Sequence, residues 1–301
     1  MKLTIEVPSE YSGTTLSSFL MSRRDMSHRL LCRMKHDQRI RVNGNAQRTN
    51  YVLSKGDIIE LYVDIDRIKK GIEPENLNLE IIFEDESLLV INKRTGMVVH
   101  PVSNHQSGTV SNGVAHLLLE RGLPAVVRPL GRLDRDTTGV IMFAKNSYIQ
   151  ESLIRQMKFD GFEKHYLAII HGNFPQKKDT ICLPIARKPG SIMHREVNVD
   201  GQAATTHLEL IDSNKNASIL KVKIETGRTH QIRVHLNHLG FPIIGDDLYN
   251  PHSINDFGIK RQALHSQHLE IIHPITGKNI NFDAPCPEDM KKLISVLQLN
   301  F

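Results

Sequence analysis

The stretch Gly131-Arg132-Leu133-Asp134-Arg135-Asp136-Thr137-Thr138-Gly139 runs directly into Val140-Ile141-Met142-Phe143-Ala144. A polar loop therefore feeds an apolar run of strand length, the pattern of a strand buried on both faces. The loop carries two carboxylates, two guanidiniums and two hydroxyls in nine residues. Such density suits a site that does chemistry. It also suits a plain turn, with Asp side chains accepting from backbone amides and the arginines pairing with them. Taken alone the stretch favours the turn, because Asp, Thr and Gly are ordinary turn residues.

Working outward, most of the later chain reads as strands. They fall at residues 79–83, 87–92, 139–144, 166–170, 194–199, 205–210, 218–225, 264–271 and 279–282. Helices are expected at 109–121, at 146–157 behind a possible Asn146 cap, and at 229–239, where Gly240 is a natural stop. Strands with irregular helices, lacking strict β-α alternation, indicate an α+β domain around a large, mainly antiparallel sheet. Residues 13–63 read differently, as helix, helix, hairpin. Leu16, Phe19 and Leu20 share one helical face, and Ser27 can cap a second helix carrying Leu30, Leu31 and Met34. Asn43-Gly44 is a strong turn signal after the alternating Arg39-Ile40-Arg41-Val42. The expected organisation is a small α+β domain over residues 1–63, a charged linker over 64–78 holding Gly71 and Pro74, and a large domain over 79–301.

Charge separates the same two parts. The chain has 301 residues and a net charge of +5. Residues 1–70 hold 13 Lys/Arg against 8 Asp/Glu, so the whole excess sits there. A basic module on a neutral body suggests a polyanion-binding appendage. Arg29 and Arg33 on the second helix, with Arg39 and Arg41 on the following strand, are the candidates to track a phosphate backbone. The plain alternative is an ordinary solvated basic surface. Three scattered cysteines, no apolar leader at the N-terminus and no apolar run near 20 residues point to a reduced, cytoplasmic, non-membrane protein. None of the 16 histidines has carboxylate or cysteine partners at ligand spacing, so no metal is expected. Walker-type and dinucleotide-binding glycine patterns are absent as well.

The helix-helix-hairpin order of residues 13–63 resembles the ribosomal-protein-S4-type RNA-binding domain, through Ser27-His28-Arg29-Leu30-Leu31, the strand and turn ending at Asn43-Gly44, Asn50-Tyr51 and Lys55-Gly56-Asp57. Ser17 stands where that domain commonly has Asp. From about Leu79 to Pro287 the chain resembles the RluA-type pseudouridine synthases. The opening loop matches their Arg-Leu-Asp motif, although many members have His where this chain has Gly131. Glu163-Lys164-His165-Tyr166-Leu167-Ala168 matches a Lys-x-Tyr-x-Ala block. Thr226-Gly227-Arg228-Thr229-His230-Gln231-Ile232-Arg233-Val234-His235 matches the Gly-Arg-Thr-His-Gln block, and Leu264-His265 through Ala284-Pro285 the C-terminal one.

The resemblance implies a site-specific uridine isomerase acting on ribosomal or transfer RNA, with no cofactor because the isomerisation is redox-neutral. It implies Asp134 as the essential carboxylate, acting as nucleophile at the ribose C1′ or as base. A carboxylate in a closed pocket resists ionisation unless a cation stands within about 4–6 Å. Arg228 is the expected partner, since a guanidinium stays protonated and pairs bidentately. Tyr166 is expected to line the base pocket, although a core aromatic on a strand would look the same. Arg132 is expected to face RNA, and Arg135 and Asp136 to support the loop. A monomer is the default expectation. Two rival readings share parts of this pattern. A catalytically silent RNA-binding or assembly protein would keep the basic module but need neither Asp134 nor Arg228. A glycoside- or nucleoside-bond hydrolase would want a second carboxylate, and Asp136, two residues away in the same loop, is a poor one.

Overall fold

The computed structural model describes residues 2–23, 26–63, 72–102, 105–159, 161–251 and 257–301. Much of the expected linker, at 64–71, lies outside the described residues. Near the N-terminus, β1 (Lys2–Glu6), α1 (Leu16–Arg23), α2 (His28–His36), β2 (Ile40–Val42), β3 (Asn45–Ala46) and β4 (Ile58–Tyr62) build a four-stranded sheet in the order β1-β4-β2-β3. Ser27 caps α2 by accepting from the Leu30 amide at 3.1 Å. Asn43 and Gly44, at φ 50° and 80°, turn β2 into β3. Two consecutive positive φ values make a type I′ turn, for which Asn-Gly is the preferred pair. Contacts of these elements with the rest of the protein include Arg33, whose Nη2 donates to the Ser147 hydroxyl at 2.6 Å, and the Ser27 amide, which donates to Glu151 at 3.3 Å.

The remaining elements are β5 (Glu80–Glu84), β6 (Leu88–Lys93), α3 (Val110–Glu120), β7 (Pro129–Leu130), β8 (Thr138–Ala144), α4 (Ser147–Gln156), β9 (Phe162–His171), β10 (Lys178–Cys182), β11 (Ile185–Arg187), β12 (Arg195–Val197), β13 (Thr205–Ser213), β14 (Ala217–Ile224), α5 (Gln231–His238), β15 (Leu264–Ile272), β16 (Asn279–Asp283) and α6 (Glu288–Leu297). Ten of these strands form one sheet, ordered β10-β13-β14-β9-β15-β8-β6-β5, with β16 on β15 and β7 on β8. All pairings are antiparallel except β15 with β8. This is the α+β architecture with a large, mainly antiparallel sheet.

Alternation along β8 splits the core. Ile141 and Phe143 join the cluster of α3 and α6, with Val114, Leu118, Met290 and Leu293. Val140, Met142 and Ala144 join the cluster of α4, with Tyr148, Ile149 and Leu153. Every residue of β8 is buried. The strand is thus immobilised on both faces, and the polar loop before it leaves a rigid base.

The parallel contact explains Gly139. Its φ is 106°, and a Cβ there would lie 2.1 Å from the Ser266 carbonyl oxygen of β15. Backbone cannot yield as a flexible side chain can. Gly139→Ala is therefore expected to cost about 3 kcal/mol, the upper range for overpacking, and to lower Tm by roughly 10 °C in a thermal melt. A Tm unchanged within 2 °C would mean that β8 and β15 can separate at little cost.

Candidate active site

Asp134 sits in the loop between β7 and β8, and the sequence shows how the loop is held. Leu133 is buried in the core. The Thr137 amide donates to the Asp134 carbonyl at 3.2 Å, closing a turn. Two buried cations grip the loop carbonyls beyond it. Lys93 Nζ donates to Arg135 O at 2.7 Å, and Arg261 Nη1 to Asp136 O at 3.2 Å. Lys93 also donates to Arg94 O at 3.1 Å and Met97 O at 2.9 Å, so all three ammonium protons are used. Burial pushes Lys93 down to about 7, against the pull of the Asp136 and Asp134 charges. Arg261 is itself held by Asp289, at 2.6 and 2.8 Å. Asp136 accepts from Arg135 at 3.0 Å and Thr95 at 3.4 Å.

The carboxylate meets a guanidinium, but not that of Arg228. Arg233 Nη1 donates to Asp134 Oδ2 at 3.0 Å. Arg228 is exposed at the cavity rim, and its Nε donates to Ala203 O at 2.9 Å. The expectation from the sequence is corrected on this point. Arg228 precedes α5 and is exposed, whereas Arg233 lies in its first turn and is buried. Residues 231–236 are all buried. An arginine inside such a run demands a counter-ion, and that was the available signal. Asp246 supplies it, taking Arg233 Nε and Nη2 at 2.7 Å each. Burial alone would lower the Arg233 guanidinium. The bonds and charge of Asp246, then those of Asp134, outweigh burial and hold it above its ordinary value. The Tyr249 ring centroid lies 5.0 Å from its Cζ. Gly245, before Asp246, has φ 75° and would place a Cβ 2.2 Å from Arg261 O.

Asp134 Oδ1 accepts no hydrogen bond among the described residues. Its neighbour is His230 Nε2 at 3.9 Å. Burial lowers His230, and its Nδ1 shares a 2.8 Å hydrogen bond with the Tyr249 hydroxyl. A cavity of about 670 Å³ is lined by Asp134, Leu133, Lys164, Tyr166, Arg228 and Arg233 among others. That volume suits a nucleotide-sized ligand. A second concavity, of about 1350 Å³, lies beyond the loop and shares Arg132, Asp134, His230 and Arg233 with the first. Arg132 is exposed on the ridge between them. Tyr166, from β9, is 5% exposed. Burial, and then the Asp134 charge, push its phenol well above the ordinary value, against a hydrogen bond with Ser266. It is a neutral hydroxyl at pH 7. The site thus combines an ionic carboxylate with one open oxygen, an aromatic wall and cationic rims.

The N-terminal candidates stand apart from this centre. Arg29, Arg33 and Arg41 are exposed. Arg39 is half-buried and pairs with Asp37 at 3.4 Å. Arg41 lies over the Tyr62 ring at 5.4 Å.

Residues 87–238 match the RNA pseudouridylate synthase family. The chain is 37% identical over 303 residues to the uncharacterized RNA pseudouridine synthase YlyB of Bacillus subtilis, covering 99% of each. It is 37% identical over 240 residues to the ribosomal large subunit pseudouridine synthase D of Zymomonas mobilis, covering 76% of this chain and 75% of that one. The chain belongs to the RNA pseudouridine synthase family. As an RNA pseudouridine synthase it is an isomerase, converting uridine in RNA to its C-linked isomer. The solved structure of human RNA Pseudouridylate Synthase Domain Containing 1 shares the synthase fold, with a TM-score of 0.58 at 22% identity over 77% of this chain and 98% of that one.

Proposed function

We propose that this synthase modifies uridines of large-subunit ribosomal RNA in the cytoplasm, with Asp134 as its catalytic carboxylate. One observation carries the assignment to Asp134. Its Oδ2 is engaged by a buried guanidinium that Asp246 already orients, Oδ1 accepts no hydrogen bond among the described residues, and the residue lines a nucleotide-sized cavity. Oδ1 is then the oxygen that attacks C1′ or removes a sugar proton. Arg233, not Arg228, is the guanidinium paired with that carboxylate as the flipped nucleotide excludes water. Tyr166 stacks under the uracil, and Arg132 contacts the RNA at the ridge. The likeness to the ribosomal large subunit pseudouridine synthase D of Zymomonas mobilis supports the ribosomal target over transfer RNA.

Residues 1–63 act as an S4-like phosphate grip in this reading, through Arg29, Arg33, Arg39 and Arg41. Each phosphate contact contributes roughly 0.7–0.9 to the slope of log K against log salt. An Arg29→Ala/Arg41→Ala variant is expected to lower the slope for ribosomal RNA by about 1.5, read by filter binding. An unchanged slope would take the module off the RNA path. The target itself is tested by mapping pseudouridine in ribosomal RNA from cells with and without the gene. One or more large-subunit positions should lose the modification and regain it on complementation. Loss confined to transfer RNA would overturn the ribosomal assignment.

A further inference from the structure

Lys164 is the one buried cation lining the smaller cavity to which the reaction above gives no task, Arg233 being already engaged. It stands two residues before Tyr166 on β9, so strand alternation puts both side chains on one face. The residue is 7% exposed. Its Nζ donates to Leu130 O at 3.3 Å and lies 5.5 Å from the Phe162 ring centroid. Among the described residues no carboxylate pairs with it. Glu163, its neighbour, is taken by Lys223 at 2.6 Å and by His165 at 3.2 Å.

Lys93 shows what a satisfied buried lysine looks like in this protein, with three carbonyl acceptors between 2.7 and 3.1 Å. Among the described residues Lys164 has one, at the long end of the range, which leaves two N–H donors on a buried side chain at the cavity wall. Such a group is costly to bury unless something anionic arrives. Burial pushes it down to about 8, which still leaves the charged form in the majority at pH 7.

We propose that Lys164 is a further catalytic cation, whose ammonium donates to a carbonyl oxygen of the uracil ring and stabilises the negative charge of the base while it is detached from ribose. This rests on the reading that the target uridine enters the cavity beside Asp134. When the C1′–N1 bond breaks, both electrons stay with the base, and the charge spreads over N1, O2 and O4. The sugar is balanced either by a bond from Asp134 to C1′ or by loss of its C2′ proton to Asp134. After the ring turns, C5 bonds to C1′, which releases the carboxylate or takes back the C2′ proton. The C5 hydrogen then leaves as a proton and N1 gains one. Nothing is oxidised or reduced. An ammonium aimed at an oxygen whose charge grows during bond cleavage favours the transition state over the bound substrate. A backbone phosphate is the other anionic group of a nucleotide, but exposed Arg228 and Arg132 at the rim are better placed for it.

The test is Lys164→Met, similar in length and uncharged, beside wild type and Asp134→Asn. Single-turnover tritium release from C5 of transcribed, unmodified ribosomal RNA is measured, with apparent Kd for the same RNA and Tm. The expected rate loss is roughly 100-fold, the scale of one oxyanion-type donor. Kd should stay within twofold. Tm should rise, because a poorly compensated buried charge has been replaced by an apolar group. An unchanged rate overturns the proposal. So does a fall in Tm with activity lost in proportion to unfolding, which would make Lys164 a strut for the Leu130 carbonyl. A tenfold weaker Kd at unchanged rate assigns Lys164 to a phosphate and overturns it too. Equal tritium release by wild type and Asp134→Asn would remove the reading of Asp134 beneath it, a result that Lys164→Met alone cannot produce.

Discussion

Asp134→Asn is expected to lower pseudouridine formation by at least roughly 10⁴-fold, with Tm within 2 °C of wild type and RNA affinity within threefold. The separation of these effects follows from the geometry. Asn keeps the volume and one oxygen for Arg233, and the Thr137 amide still closes the turn on the backbone carbonyl of residue 134. Arg233 keeps both bonds to Asp246, so no buried charge is stranded. What disappears is the negative charge at Oδ1, which either proposed role, nucleophile or base, requires. Single-turnover tritium release, a thermal melt and filter binding read the three quantities on one preparation. A rate loss under tenfold would sink the assignment. A collapse in Tm would make Asp134 structural.

Arg233→Met is expected to be the most destabilising of the site variants, at about 3–5 kcal/mol, or roughly a 10 °C fall in Tm. Asp246 is 2% exposed, and its carboxylate would lose two 2.7 Å charge-assisted bonds, keeping a 3.3 Å bond from the Tyr249 amide. An uncompensated buried charge is the costly outcome, more so than loss of the ion pair as such. Activity should fall with it, because the carboxylate of Asp134 loses its cation. Arg233→Lys should recover little, since an ammonium cannot reproduce the three directed N–H bonds of this fork. Arg228→Met is the contrast. It is exposed and bonded to a backbone carbonyl, so Tm should move by less than 2 °C and the single-turnover rate by less than threefold, with any effect in RNA affinity. The reverse ranking of the two variants would restore Arg228 as the partner of Asp134.

Local features were well marked in the chain because their physics is local. Ser27, Thr109 and Asn146 each cap a helix by accepting from an amide three residues on. Asn43-Gly44 makes its turn because few other pairs tolerate both dihedrals. The buried strand after the polar loop was visible as an unbroken apolar run, and it spans Thr138–Ala144. Shorter or later elements were passed over. Lys2–Glu6 and Lys178–Cys182 are short, with one buried residue each. The helix Glu288–Leu297 had its signature, with Pro287 ahead of two acids and Met290, Leu293, Ile294 and Leu297 on one stripe. It sits just past the last recognisable block. Lys93 and Lys164 could not be told from surface lysines, since nothing in their immediate neighbours reports how deeply the sheet buries them.

By itself the sequence determined which segments stand out: a motif loop carrying Asp134, an arginine-bearing block whose Arg233 lies 99 residues beyond it, and strands enough for one large sheet. Which guanidinium reaches the carboxylate was settled only by the tertiary structure. Arg228 and Arg233 share one motif, and spacing along the chain does not say which side of α5 faces the core. The packing of α5 against the sheet, with Asp246 waiting beneath it, turns Arg233 inward. Coulomb and hydrogen-bond energies depend on separations of a few ångströms in space, and those exist only after distant segments have been brought together.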